Sequence, residues 1–249
     1  EGDEVMVVHS APCGSCSRCK RGLENLCERL FETMALGAYG EYLKLSPQHV
    51  ARNLHLKPAH VSFAEAALLE PLACVVYGWR QLQLAGPNTT GEPPFVVVYG
   101  AGPIAMMFLR LAKVQADARV VVVARREGPR QTALEFGADM AVAPEEAIDA
   151  IRSMNDGRLA DVAIDCTGVP AVWEACVDLV DVGGDVLFFG GCPSGTRASF
   201  DTRRVHYDQI HLHGVFHFDP SAVAESARWI INGGLGVDQM LHPVTHDLA

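Results

Sequence analysis

The sequence lacks a long apolar run, a block of basic residues and any internal repeat. Its longest apolar stretches, such as Phe95–Tyr99 and Val120–Ala124, are far shorter than the roughly 20 residues of a transmembrane helix. With 30 Asp and Glu against 20 Lys and Arg, the formal net charge is -10, which argues against nucleic acid or an anionic membrane as a partner. No secretory signal peptide is recognisable, so we expect a cytoplasmic protein.

The composition that remains is that of a globular protein. Of 249 residues, 49% are hydrophobic and 20% are charged, and the length suits one large domain or two small ones. The sequence opens on Glu1 rather than Met, and Gly2 and Asp3 follow with no preceding element. We therefore expect a piece of a longer polypeptide.

Four of the eight cysteines lie in one short segment with the spacing C-x2-C-x2-C-x7-C. These gaps allow thiolates to converge on one ion, and four sulfurs complete a tetrahedral shell with no position left for substrate. We predict a structural zinc site, with two disulfides in a secreted domain as the alternative. The predicted zinc ligands are Cys13, Cys16, Cys19 and Cys27. The other four cysteines are expected to be small core residues.

A glycine-rich turn follows the predicted strand Phe95–Tyr99. Gly100 permits a tight turn, Gly102 lets the backbone approach a pyrophosphate, and Ala105 replaces the third glycine of the dinucleotide-binding fingerprint. The helix that follows would present N–H groups and a positive dipole to phosphate. An ordinary turn between a strand and a helix is the alternative. The predicted cofactor-binding residues here are Gly100, Ala101, Gly102, Pro103, Ile104 and Ala105.

The end of the second strand of this unit indicates which dinucleotide is bound. An NAD-binding fold usually has Asp or Glu there to bind the ribose 2′-OH, whereas this sequence has Ala124, Arg125 and Arg126. A small residue leaves room, and a guanidinium can bind a 2′-phosphate bidentately. We therefore predict NADP rather than NAD. The alternative is that both arginines face solvent at the start of the next helix.

Strands and helices continue to alternate, which predicts a parallel sheet covered on both faces and a Rossmann-type doubly wound α/β fold. The predicted elements are helices over 126–137, 145–154 and 170–180, and strands over 139–142, 161–165 and 184–190. Because ligands sit beyond the carboxyl ends of such strands, five further residues are expected near the cofactor: Thr167, Gly168, Phe189, Gly190 and Gly191. A helix over 222–231 is expected to pack on the sheet, and residues 88–94 are predicted to form a loop.

Glu70 is a carboxylate within the apolar stretch 66–76. Ser62 and Glu65 form a capping box that opens a helix reaching Glu70, and Pro71 predicts a break there and a second helix to Leu84. A carboxylate in apolar surroundings needs a partner, such as a metal, while a capping or salt-bridged glutamate is the alternative.

The ten histidines invite a metal interpretation that we do not favour. His211 and His213 share one face of a predicted strand and, with His206 and His217, resemble a ligand set. Strand alternation alone produces this pattern, and no carboxylate partner is placed by the sequence.

Taken together, these residues resemble the zinc-dependent medium-chain alcohol dehydrogenases, most closely the branch with sorbitol, threonine and related sugar-alcohol dehydrogenases. The segments that carry the resemblance occur in the family's order and spacing: the four-cysteine lobe, Glu70-Pro71, Gly100–Ile104, Cys166–Gly168 and His213–Phe216. The resemblance implies that the cysteines hold a structural zinc and that Glu70 lies at the catalytic zinc, bound directly or through water. It also adds cofactor contacts at Val215, Phe216 and His217.

The resemblance further implies a GroES-like β-rich catalytic domain, present in part over residues 1–75 with the zinc lobe. The dinucleotide-binding domain would cover 76–240, and the chain would return to the catalytic domain over 241–249. The family's second, catalytic zinc also requires a cysteine and a Gly-His-Glu motif upstream of Gly2-Asp3, and neither occurs in this sequence. We therefore expect exposed strand edges or disorder over residues 1–60.

The functional hypothesis is a zinc-dependent oxidoreductase that transfers hydride between a secondary alcohol and NAD(P), with NADP favoured. The substrate would be a polyol, sugar alcohol or amino alcohol, or the matching ketone, and the assembly a homodimer or homotetramer. The alternative is a non-catalytic protein that binds NADP and zinc.

Overall fold

The computed structural model describes residues 2–82 and 91–241. Its strands are β1 (Val5–Val7), β2 (Leu54–Leu56), β3 (Phe95–Tyr99), β4 (Arg119–Val123), β5 (Met140–Val142), β6 (Ala160–Asp165), β7 (Val180–Phe188) and β8 (His211–Gly214). Its α-helices are α1 (Ser17–Lys20), α2 (Pro47–Asn53), α3 (Phe63–Ala66), α4 (Leu69–Trp79), α5 (Pro103–Ala116), α6 (Glu127–Glu135), α7 (Ala147–Met154), α8 (Pro170–Asp178), α9 (Thr202–Tyr207) and α10 (Pro220–Asn232).

The chain forms two compact units. One comprises the residues up to Tyr77 together with those from Phe216 onward, and the other comprises Gly78–Val215. The predicted dinucleotide-binding domain, 76–240, is longer than the second unit, because residues from Phe216 group with the first. The predicted return segment over 241–249 lies almost wholly outside the described residues.

The second unit is built on a six-stranded parallel sheet in the order β5-β4-β3-β6-β7-β8. This is the doubly wound order, in which the strand sequence reverses between β3 and β6. The central strands are runs of β-branched residues that are buried on both faces, as a covered parallel sheet requires. The predicted α/β fold class is therefore confirmed.

Element bounds in this unit differ from the predicted ones by a few residues, and the largest difference is at β7. The strand was expected over 184–190 but spans Val180–Phe188. The chain leaves the strand there because the N–H groups of Phe189 and Gly190 both donate to the carbonyl oxygen of Asp165, at 3.2 and 3.0 Å. Gly190 thus belongs to a turn rather than to the sheet.

The first unit contains an antiparallel pair, β1 with β2, the helices α1 to α3 and α10, and α4 as far as Tyr77. Among the described residues β1 and β2 pair only with each other, so each has an unpaired edge, as expected for residues 1–60. The helix predicted over 222–231 is α10, which groups with this unit and contacts α2. Its packing on the sheet stays a prediction. None of the described helices has the length and apolar character needed to cross a membrane.

The predicted helix break at Glu70 is wrong. The capping box forms as predicted, with Ser62 Oγ accepting from the Glu65 N–H and the Glu65 carboxylate accepting from the Ser62 N–H. However, α3 already ends at Ala66, and α4 begins at Leu69. Glu70 and Pro71 therefore lie in the first turn of α4, where the missing N–H of proline has no helical acceptor to satisfy. The helix ends at Trp79, and the predicted end at Leu84 lies outside the described residues.

Candidate cofactor cleft and metal centres

A cleft of about 620 Å³ opens at the carboxyl ends of β3, β4 and β6 in the second unit. This is the point where the strand order reverses, and ligands bind at that point in doubly wound sheets. Its lining includes seven of the predicted cofactor residues: Gly100, Ala101, Gly102, Ala124, Arg125, Arg126 and Thr167. Tyr99, Val123, Pro129, Val169 and Val172 also line it and were not predicted.

The glycine turn at the mouth of this cleft combines a tight turn with open space beside its backbone. Gly100 has a φ of +114°, and a Cβ there would meet the side chains of Cys166 and Thr167 at 3.3 Å. Gly102 is the N-cap of the 14-residue α5, and a Cβ on it would have no heavy atom within 4 Å. The backbone at Gly102 therefore borders open space next to a helix N-terminus, where a pyrophosphate fits.

Asp165, the last residue of β6, organises the turn on the other side of the cleft. Its side chain is fully buried, and one carboxylate oxygen accepts from the Thr167 N–H at 2.8 Å and the Thr167 hydroxyl at 2.6 Å. The other oxygen accepts from the Gly168 N–H at 3.1 Å and the Trp173 ring N–H at 3.0 Å. The sequence interpretation missed Asp165, although its position directly before Cys166-Thr167-Gly168 is a usable signal.

The loop after β4 is held by an arginine that was not predicted. Arg130 Nη1 donates to the carbonyl oxygens of Ala124 and Arg125, at 3.1 and 3.3 Å. Arg126 is the N-cap of α6 and, like Arg125, lies at the cleft. In the described part of the chain no Asp or Glu lines this cleft, so the carboxylate that would recognise a ribose 2′-OH is not found there.

Several predicted cofactor residues are placed elsewhere. Phe189 packs against Phe108 with ring centroids 5.0 Å apart, and it does not line the cleft. Gly190 and Gly191 lie beneath the Gly168 turn, since a Cβ on Gly190 would come within 2.2 Å of the Gly168 nitrogen. Pro103, Ile104 and Ala105 form the first turn of α5 behind the glycine loop.

The four clustered cysteines converge in the first unit as predicted. The Sγ atoms of Cys13 and Cys19 are 4.0 Å apart, and those of Cys16 and Cys27 are 3.9 Å apart. Four sulfurs about 2.3 Å from a zinc ion would be about 3.8 Å apart, whereas a disulfide requires about 2.05 Å. All four are free thiols, so the geometry fits a zinc site and not the disulfide alternative.

Backbone N–H groups point at these sulfurs. Those of Ser15 and Cys16 lie 3.5 and 3.3 Å from Cys13 Sγ, and with the Ser15 hydroxyl they lower the pKa of Cys13 to about 6. Burial, together with the neighbouring sulfurs, instead raises the pKa of Cys19 to about 12. A dication at the cluster would stabilise the thiolate form of Cys19 against this burial.

A second polar cluster in the first unit brings together His9, Glu70 and His217. One donor atom from each lies within 4.8 Å of the donor atoms of the other two, and His9 Nδ1 is 3.6 Å from Glu70 Oε1. Burial, with a smaller effect of His9, lowers the pKa of His217 to about 4, so its ring is neutral at physiological pH. The sequence predicted a metal role for Glu70 but gave no signal that joins His9 to it.

His217 is thus part of this cluster and not of the histidine set considered from the sequence. The side chains of His211 and His213 contact a carboxylate, because Asp185 lies 2.5 Å from His213 Nε2 and 3.6 Å from His211 Nδ1. The sequence alone did not place this carboxylate partner. Within the described residues, His211, His213 and Asp185 are not among the groups whose donor atoms lie close enough together to hold a metal ion.

Comparisons with known proteins agree with this arrangement of a parallel dinucleotide-type sheet and a four-cysteine lobe. The family described as "Zinc-binding dehydrogenase" matches residues 103–232, and the "Alcohol dehydrogenase GroES-like domain" matches residues 1–55. The chain therefore belongs to the zinc-binding dehydrogenase family, within the zinc-dependent medium-chain alcohol dehydrogenases, as the sequence resemblance predicted.

Individual relatives include sugar-alcohol enzymes. D-altritol 5-dehydrogenase of Agrobacterium fabrum is 35% identical over 216 residues, which cover 86% of this chain and 60% of that protein. Sorbitol dehydrogenase of Bacillus subtilis is 27% identical, with 87% and 60% covered. A structure described as a zinc-binding dehydrogenase from Sinorhizobium meliloti bound to NADP superposes with a TM-score of 0.82 at 25% identity, covering 96% of this chain and 68% of that one. The chain spans about 60% of the length of these two curated relatives.

Proposed function

We propose that this protein belongs to a zinc-dependent oxidoreductase that transfers hydride between a secondary alcohol and NADP. The alcohol would be a polyol, a sugar alcohol or an amino alcohol, and the product the corresponding ketone. Support for the substrate class comes from the sugar-alcohol relatives, which act on the alcohols that their names state. A homodimer or homotetramer and a cytoplasmic location are part of the proposal.

The observation that carries the proposal is the cleft at the strand-order reversal of the second unit. Gly102 offers open backbone at the start of α5, where the N–H groups and the dipole of the helix favour a pyrophosphate. Ala124 leaves space for a 2′-phosphate, and Arg125 supplies a guanidinium for it. Arg130 binds the two carbonyl groups of this loop, which holds the backbone that carries Arg125.

Some residues of the chain would bind the cofactor or a metal, and others would hold the binding residues in place. The glycine turn and Arg125 would bind and orient the dinucleotide, while Asp165 fixes the opposite wall through Thr167. The four cysteines would hold a structural zinc and take no part in the chemistry. Glu70 would supply a carboxylate to a catalytic zinc, and such an ion polarises the alcohol oxygen and lowers the pKa of the alcohol.

Cofactor preference is the first test. Calorimetric titration of the protein with NADP and NAD is expected to give the tighter binding for NADP. Arg125→Ala should weaken NADP binding by about 10- to 150-fold, which corresponds to about 1.5–3 kcal/mol for a hydrogen bond to a charged group, with little effect on NAD. Arg158→Ala is a matched control, because this arginine of the same unit pairs with Glu92 on the surface and does not line the cleft.

The activity requires a separate assay. Polyols and amino alcohols are offered with NADP and with NAD to the polypeptide that its own gene produces, after its intact mass has been measured. Oxidation of a secondary alcohol with reduction of NADP is the expected result. A preference for NAD would refute the role of Arg125, and NADP binding without turnover of any alcohol would favour a non-catalytic NADP- and zinc-binding protein.

A further inference from the structure

The hydroxyl of Tyr99 is a polar group of the cofactor cleft to which the glycine turn and the arginine loop give no role. Tyr99 is the last residue of β3 and lines the cleft together with Arg125. In the sheet it is paired in register with Val123, the last residue of β4, and Arg125 follows Val123 by two residues. Tyr99 and Arg125 therefore border the same part of the cleft.

The ring and the hydroxyl of Tyr99 have different surroundings. Tyr99 packs against the buried apolar cluster that includes Phe95, Val97 and Val123, yet it is only half-buried and reaches the cleft. Within residues 2–82 and 91–241, its hydroxyl makes no hydrogen bond. The hydroxyl of a partly buried tyrosine usually has a partner, so a bound ligand is the natural source of one here.

The hydroxyl is a hydrogen-bond donor at neutral pH. Burial is the main cause that raises the pKa of Tyr99, and Cys176 adds to the increase. Glu145 and Asp165 also raise this pKa, but neither of them lines the cleft. The positive charge of Arg125 acts in the opposite direction, which is consistent with a guanidinium within electrostatic range of the ring.

The groups at this end of the cleft suit a doubly charged anion. Arg125 and Arg126 are exposed, and among the described residues neither guanidinium has a carboxylate partner. Together with the Tyr99 hydroxyl they form a set that consists of donors. A phosphate monoester carries nearly two negative charges at neutral pH and offers three acceptor oxygens. A ribose 2′-OH would instead call for a carboxylate acceptor.

We propose that the Tyr99 hydroxyl donates a hydrogen bond to the 2′-phosphate of NADP, beside the guanidinium of Arg125, and thereby favours NADP over NAD. The inference rests on the proposed function, since it takes NADP as the cofactor. It deepens that function by making a residue of β3, which precedes the glycine turn, a determinant of cofactor specificity.

Calorimetric titration of Tyr99→Phe, which removes only the hydroxyl, provides the test. The ligands are NADP and NAD, together with adenosine 2′,5′-bisphosphate and adenosine 5′-monophosphate, which differ only in the 2′-phosphate. Binding of the two 2′-phosphorylated ligands is expected to weaken about 10-fold or more, and that of the other two by less than about twofold. Tyr207→Phe is the matched control and should change none of the four, because Tyr207 is an exposed tyrosine of the same unit that does not line the cleft.

The outcomes separate this inference from the proposed function. If the unaltered protein binds the bisphosphate no more tightly than the monophosphate, the choice of NADP fails and the inference fails with it. If the unaltered protein prefers the bisphosphate and Tyr99→Phe keeps that preference in full, only the role of Tyr99 is refuted. An equal loss for NADP and NAD would also refute it, since the hydroxyl would then contact the adenosine that both ligands share.

Phosphorus NMR gives a readout that a purely structural role of Tyr99 would not change. Donors around the bound 2′-phosphate stabilise its dianion, so removal of one of them should raise the pH at which its resonance titrates. The bound bisphosphate is therefore expected to titrate at a higher pH in Tyr99→Phe than in the unaltered protein, with thermal melts to confirm that both are folded. The same titration in both proteins would overturn the proposal.

Discussion

Replacement of Asp165 by Asn tests how the wall of the cofactor cleft is held. The buried carboxylate accepts four hydrogen bonds, two on each oxygen, from Thr167, Gly168 and Trp173. Asparagine keeps the shape but replaces one oxygen by an NH₂ group. Whichever way the amide is oriented, two of the four donors then face another donor instead of an acceptor.

The magnitude follows from those two lost bonds. A hydrogen bond to a charged group contributes about 1.5–3 kcal/mol, so Asp165→Asn should lower the free energy of unfolding by about 3–6 kcal/mol, a large share of the roughly 5–15 kcal/mol of a typical domain. Urea denaturation measures the loss, and titration with NADP should show weaker binding at 25 °C, because Thr167 lines the cleft.

Asp161→Asn is the matched control on the same strand. Its carboxylate is exposed and, within residues 2–82 and 91–241, accepts a single N–H, that of Phe95 at 2.7 Å, which the amide oxygen of asparagine can still accept. We expect a loss of about 1 kcal/mol or less for this variant. If Asp165→Asn is no more destabilising than Asp161→Asn, the buried carboxylate does not hold the turn and the reasoning is wrong.

Three further changes separate binding, metal content and local helix structure. Gly102→Ala should leave the melting temperature unchanged and weaken NADP binding at least tenfold. Gly100→Ala should instead destabilise the protein by about 1–3 kcal/mol, because Gly100 has a φ of +114°. Calorimetric titration measures the first effect and thermal melts measure the second. Cys16→Ser should remove one zinc ion per chain and lower the melting temperature, measured by elemental analysis and circular dichroism. Ser62→Ala should cost about 1 kcal/mol at pH 7 in urea denaturation. Hydrogen bonds from Ser62 lower the pKa of Glu65, so their contribution to stability is present above the pKa of an unfolded glutamate and is lost as the pH falls through the lower folded pKa. The free energies of unfolding of the unaltered protein and Glu65→Gln should therefore converge in acid. A difference between them that persists at low pH would contradict this.

The second unit could be predicted well because its signals are local. β-branched runs such as Phe95–Tyr99 and Arg119–Val123 end at glycines or polar turns. The first strand was placed at its observed bounds, and the second, predicted over 119–124, ends one residue earlier. The end of β7 was placed two residues too late, because a contact from the backbone of Asp165, distant in sequence, turns the chain after Phe188. The start of a helix after a short break is equally hard to predict, since Pro71 suits the first turn of a helix that begins at Leu69 as well as one that begins at Pro71.

The two candidate metal centres also differ in how well the sequence predicts them. The cysteine ligands lie within 15 residues and have a diagnostic spacing, so their convergence follows from the sequence. The 207-residue separation of Ser10 and His217 leaves no periodic or spacing signal for their hydrogen bond. Only the fold brings His9, Glu70 and His217 together, which is why the sequence assigned His217 to the cofactor and left His9 unmentioned.

Zinc at the cysteine lobe has a consequence for the stability of the first unit. The buried apolar cluster of the lobe consists of Cys19, Cys27 and Leu30, with Cys13 and Cys16 packed against it. So small a core cannot offset the conformational entropy of the segment, since small folds without a large core rely on metals or disulfides. Because the lobe has free thiols, the metal is what remains to stabilise it, and its binding free energy is in effect folding free energy. The lobe also anchors the segment of the second polar cluster, since Asn25 donates to the carbonyl oxygen of Phe216 at 2.9 Å, directly before His217. Loss of zinc from the cysteines should therefore loosen the cluster of His9, Glu70 and His217 as well.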